Sequence, residues 1–174
     1  DYEDAHAPEL DHRQKTRALI TFSQDLADTL RAYRPGLKTA RNLYARLVLA
    51  PESERWFAQS LPAFLAAYDY TAVMAMPGLE GAQVPPERWL RRLAEQALSV
   101  DAAARDKLLF ELQSVDWRRR EPIPTEALMR HLRMLQTAGI CHLGYYPDDF
   151  INGHPDRARL QTVFSAADFP YRQR

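Results

Sequence analysis

Carboxylates recur in this chain just beyond short apolar runs, and aromatic residues accompany them. Glu80 follows a run stopped by Pro77-Gly78. Glu111 and Gln113 close another run, ahead of Trp117, while Tyr145, Tyr146, Asp148 and Asp149 close a third. Arg41 and Asn42, after Lys38, stand at the end of a fourth, and Asp1 and Glu3 flank Tyr2 ahead of the first helical pattern. Carboxyl groups gathered on one rim can serve as acid, base or nucleophile at a glycosidic bond. Aromatic faces beside them offer flat apolar platforms to sugar rings. Together they are the residue set of a sugar-binding cleft.

Each of these residues also has a plainer reading. Glu80 could solvate a turn, and Asp148 and Asp149 could cap one. Glu111 alternates with Phe110 and Leu112, so it either points into an open interior or forms a buried ion pair. Trp56 and Trp89 read as core, with Trp56 and Phe57 pointing inward, whereas Trp117 sits among charges and reads as a ligand contact. His142, inside a strand pattern, reads as structural. Arg118-Arg119-Arg120 is a solvated loop or a holder of an anionic group. No pair of His or Cys residues shows metal-ligand spacing, and no glycine-rich phosphate loop or nucleophile elbow occurs, so no cofactor is implied.

The elements that must position these residues follow from periodicity. Apolar runs over 37–44, 71–76, 107–112 and 140–146 read as strands, each ending in a polar loop. Between and around them, 13–33, 86–98, 125–138 and 156–164 read as helices. The first has an apolar stripe of Leu19, Phe22, Leu26 and Leu30, and Gly139 is placed to cap the third. Strands alternating with helices imply a parallel α/β sheet, with the polar rim at the strand C-termini. The sheet could be doubly wound, or it could be half of an eight-stranded barrel, a (β/α)8 barrel of the TIM type. Because the chain opens at Asp1 without a methionine, we expect the second: residues 1–174 form a single domain of about four βα units, the C-terminal half of the barrel.

Lysine plus arginine and aspartate plus glutamate balance at 23 each, which gives no global field to attract nucleic acid or an anionic membrane. One cysteine, Cys141, excludes a disulfide framework. No run is apolar over the length a membrane span requires.

Several strings then point further when taken together. They are Asp1-Tyr2-Glu3-Asp4-Ala5, Lys38-Thr39-Ala40-Arg41-Asn42, Pro51-Glu52-Ser53-Glu54, Met74-Ala75-Met76-Pro77 with Leu79-Glu80-Gly81, and Gly144-Tyr145-Tyr146-Pro147-Asp148. With Glu111-Leu112-Gln113 and Trp117, they resemble the C-terminal domain of the poly-β-1,6-N-acetyl-D-glucosamine N-deacetylase family along essentially the whole chain. The resemblance implies a (β/α) barrel that binds and cleaves the partially de-N-acetylated polymer as an endo-acting glycoside hydrolase. A non-catalytic domain that guides the polymer to export is the alternative.

By that resemblance Asp1 and Glu3 are the catalytic pair. Arg41, Asn42, Glu80, Glu111, Trp117, Tyr145, Tyr146 and Asp148 contact substrate. It also implies a periplasmic, outer-membrane-associated location. The implied partners are the chain's own upstream half-barrel, an N-terminal deacetylase domain and an outer-membrane export porin. In the family a further acidic pair precedes the position of Asp1, and a longer insertion separates Glu3 from the first helix, a gap that residues 10–15 bridge here. Gly78 stands where the family carries a bulkier residue, which implies a wider groove at Glu80.

Overall fold

The computed structural model describes residues 10–164. Helix α1, His12–Arg31, starts at a reciprocal capping box. The Asp11 carboxylate accepts the Gln14 N–H at 2.8 Å, and the Gln14 side chain accepts the Asp11 N–H at 2.8 Å. Strand β1, Ala40–Tyr44, leads into the short α2, Arg46–Leu49, and a 3-10 turn over Pro51–Trp56. Helix α3, Leu61–Ala67, precedes strand β2, Tyr70–Ala75, which is followed by α4, Pro86–Val100. Strand β3, Leu108–Gln113, runs into a small hairpin of β4, Val115–Asp116, and β5, Glu121–Pro122. Helix α5, Thr125–Thr137, strand β6, His142–Tyr146, and helix α6, Arg157–Phe164, complete the series.

The four long strands form one parallel sheet in the order β1-β2-β3-β6, which is their chain order. Sequential parallel pairing is the outcome of repeated βα units. Strand periodicity then divides the side chains between two faces. Leu43, Val73, Ala75, Leu108, Phe110 and Leu112 pack with Leu90, Leu93, Leu128 and Leu132 in one core on the helix side. Asn42, Met74, Glu111 and Tyr146 alternate with these residues and face the other way. Helices on one face only are the mark of a barrel arc, since a doubly wound sheet is covered on both. The fold is therefore α/β, a four-stranded parallel arc; it does not close among the described residues.

The termini of these elements follow local chemistry. Helix α5 ends in a Schellman arrangement, in which Gly139 N–H donates to Gln136 and Ile140 N–H donates to Leu135. Gly139 adopts φ +98°, which its missing Cβ permits. Strand β1 begins three residues later than its apolar run suggested. Lys38 and Thr39 turn instead to the Asp69 carboxylate, which accepts Thr39 N–H at 2.8 Å, the Thr39 hydroxyl at 3.0 Å and Lys38 Nζ at 3.1 Å.

Two expectations about packing need correction. Trp56 is not core: it is 74% exposed. The 3-10 turn ends at Trp56 and the backbone becomes extended at Phe57, so Phe57 takes the inward direction, against Tyr44 at a ring separation of 5.2 Å. The stripe of α1 is likewise open. Thr16 and Ala27 are buried and Leu19 packs partly on the core, but Phe22, Leu26 and Leu30 are exposed, because α1 lies against α3 and the 3-10 turn and no described residue covers the rest of the stripe.

Candidate functional site

On the helix-free face, at the C-terminal end of the sheet, lies a cavity of about 350 Å³. Asn42 of β1, Met74 of β2 and Glu111 of β3 form its floor; Met76, Leu79, Trp117 and Tyr146 form its walls. Periodicity of two explains the floor, since in each strand the residues on either side turn toward the helices. Glu111 lies in register between Met74 and Gly144, so one neighbour is apolar and the other has no side chain. Burial alone pushes the Glu111 carboxyl above its ordinary range. No ion pair of Glu111 occurs among the described residues. The walls supply the flat surfaces: the Trp117 and Tyr146 rings lie 6.4 Å apart at a tilt of 30°. Both rings keep solvent access, Tyr146 more than Trp117.

Other residues singled out in the sequence lie elsewhere. Asp1 and Glu3 fall outside the described residues. Arg41 alternates with Asn42 and so shares the face of Leu43. Tyr145 also turns to the helix side, where it packs on Phe164. Burial raises the Tyr145 hydroxyl, and the Asp148 carboxylate beside it pushes in the same direction. Glu80 does not line the cavity. Its half-buried carboxyl faces the backbone N–H groups of Ala45 and Arg46 at the start of α2; burial raises it, while those N–H groups and the Arg46 charge oppose the shift. One of its oxygens, Oε1, is buried without a hydrogen-bond partner among the described residues.

Asp149 anchors the loop after β6 by accepting the N–H groups of Ile151 and Asn152 at 3.1 and 3.0 Å. Lys38 lies at the opposite, N-terminal end of the sheet with Asp69. His142 contacts the Asp106 carbonyl at 2.9 Å through Nε2. Among the described residues no group of three His, Cys, Asp or Glu side chains is placed to hold a metal ion.

The apolar lining residues Met74, Met76 and Leu79 escaped the sequence reading. Strict alternation along β2, with Val73 and Ala75 turned to the helices, was the signal that could have found the first two. The expected wide groove at Gly78 is absent. A Cβ built there would lie 2.8 Å from the Gln113 Nε2 atom, so the space is already taken.

The site and fold can be set beside known proteins. The chain is 40% identical over 163 residues to the poly-beta-1,6-N-acetyl-D-glucosamine N-deacetylases of Escherichia coli K12 and O157:H7. The alignment covers 91% of this chain and 24% of each relative, so the chain spans about a quarter of their length. The structure of the PgaB (BpsB) glycoside hydrolase domain from Bordetella bronchiseptica superimposes with a TM-score of 0.83 at 45% identity. That match covers 89% of this chain and 44% of the other. Residues 3–146 match the family model GHL13, described as hypothetical glycosyl hydrolase family 13, and the chain belongs to that family.

Proposed function

We propose that this chain supplies the C-terminal half of a barrel that binds and cleaves partially de-N-acetylated poly-β-1,6-N-acetyl-D-glucosamine. One observation carries the reading: Glu111, a carboxyl with no ion pair among the described residues, stands on the floor of a cavity walled by the adjacent rings of Trp117 and Tyr146. The rings would take the apolar faces of sugar units, and Asn42 and Glu111 would meet their polar edges. A free amine of the polymer is a natural counter-charge for an ionised carboxylate that has none of its own. Membership of a glycosyl hydrolase family, and the likeness to a glycoside hydrolase domain and to N-deacetylases of this polymer, support the substrate class.

In the proposed chemistry a protonated carboxyl donates its proton to the leaving glycosidic oxygen. A second carboxylate, or the substrate's own acetamido group, supports the oxocarbenium-like centre. We assign the acidic pair to Asp1 and Glu3. The upstream half-barrel would cover the open α1 stripe and the β1 edge. An N-terminal deacetylase domain, an export porin and an outer-membrane-associated periplasmic setting complete the proposal.

A second reading, a groove that guides the polymer without cutting it, is favoured by one observation. Glu111 is the only carboxylate lining the cavity among the described residues, whereas hydrolysis calls for two. Mass spectrometry of polymer incubated with the full-length protein separates the two. Oligosaccharides released by wild type, but not by Asp1→Asn or Glu3→Gln variants that still bind, are the expected result. Intact polymer in every sample, with binding retained, would establish the guide instead.

A further inference from the structure

We infer that Gln113 is a positioning residue that sets the spacing between the two walls of the cavity, an inference that rests on the glycan reading of that cavity. The side chain is 5% exposed and each end of its amide is used. Oε1 accepts the N–H of Gly78 at 2.8 Å and that of Leu79 at 3.3 Å, in the loop between β2 and α4. Nε2 donates to the Val115 carbonyl at 2.9 Å, at the start of the hairpin that carries Trp117. Leu79 and Trp117 line the same cavity from these two loops. A single amide, at the C-terminal end of the strand that presents Glu111, thus ties one wall to the other.

The chemistry of the tie is selective. A carboxylate of the same shape could accept both N–H groups but would set a negative oxygen against the Val115 carbonyl. An apolar side chain would leave two donors and an acceptor unmatched in a buried place. Gly78 belongs to the same device. Its missing side chain is the room that the amide fills, since an added Cβ would come 2.8 Å from Nε2 and 3.0 Å from Oε1. Gly78 therefore brings the loop close to β3 and does not widen the groove.

The test uses the full-length protein carrying Gln113→Glu or Gly78→Ala. Lys107→Met serves as a control, because Lys107 Nζ donates to the Leu65 and Tyr68 carbonyls away from the cavity. Amide exchange is measured over 78–83 and 115–120, and affinity is titrated with a partially de-N-acetylated β-1,6-glucosamine oligosaccharide. Both cavity variants should accelerate exchange in the two loops together and weaken binding by about tenfold. The control, at a similar loss of melting temperature, should do neither. Faster exchange in one loop only, or an equal loss of affinity in the control, would overturn the inference. If wild type binds no oligosaccharide, the glycan reading fails, and the paired change in exchange still decides whether Gln113 ties the loops.

Discussion

The two ends of this sheet treat a carboxylate in opposite ways. At the N-terminal end, Asp69 collects two donors from Thr39 and a third from Lys38. The Thr39 N–H, ahead of the other contacts, holds it down to about 2. At the C-terminal end, Glu111 lies between Met74 and Gly144, and burial pushes it up with nothing among the described residues to oppose the shift. The first arrangement stabilises the fold by matching a charge. The second withholds a match at a cost in stability, which is worthwhile only where something from outside completes it.

Substitution at the two sites should therefore change stability in opposite directions. Asp69→Ala removes the acceptor for the Thr39 N–H and should cost about 2 kcal/mol in urea unfolding. Glu111→Met replaces a poorly solvated carboxyl by an apolar side chain that suits Met74, and should gain about 1 kcal/mol. The same variant should abolish any binding that depends on amine groups of the oligosaccharide. Equal destabilisation at both sites would break the comparison.

The pH dependence has the same opposed signs. Asp69 is more acidic folded than unfolded, so its contribution is complete above the ordinary value of 3.8 and is lost as pH falls through about 2. Glu111 is less acidic folded than unfolded. It costs stability as pH rises from its ordinary 4.5 through the raised value, because the unfolded chain then gives up its proton first. Unfolding curves of Asp69→Asn should lose the acid-side slope, and those of Glu111→Gln the decline above 4.5. Oligosaccharide binding by wild type should strengthen with pH over that second interval, as Glu111 ionises.

The sequence exposed the alternation of strands and helices, the parallel sheet and the Gly139 cap, because each rests on local periodicity or a single backbone requirement. It did not reveal which face of each strand is open. Arg41 and Asn42 are adjacent and both polar, and only the register of β1 on β2 separates them. Nor could it show that Glu80 faces Ala45 and Arg46 across the space between two loops. Of the ten residues singled out for the site, Asn42, Glu111, Trp117 and Tyr146 meet around one cavity. Those on β1, β3 and β6 meet because strands in register bring residues of distant segments side by side.

Two tryptophans extend the comparison to the smallest expected effects. Trp117 and Trp56 both reach solvent, at 36% and 74% exposure, yet among the described residues only Trp117 borders the cavity and lies near a second ring. Neither should matter much to folding, so each Trp→Ala change should shift unfolding by no more than about 0.5 kcal/mol. They should part in oligosaccharide titrations. Trp117→Ala should weaken binding on the order of tenfold, since an aromatic platform inside a cavity concentrates contact energy. Trp56→Ala should leave it unchanged. If Trp56 proved as important for binding as Trp117, the glycan would have to extend beyond the cavity, past the 3-10 turn that follows β1. Solvent access would then mark the site better than the unmatched carboxyl does.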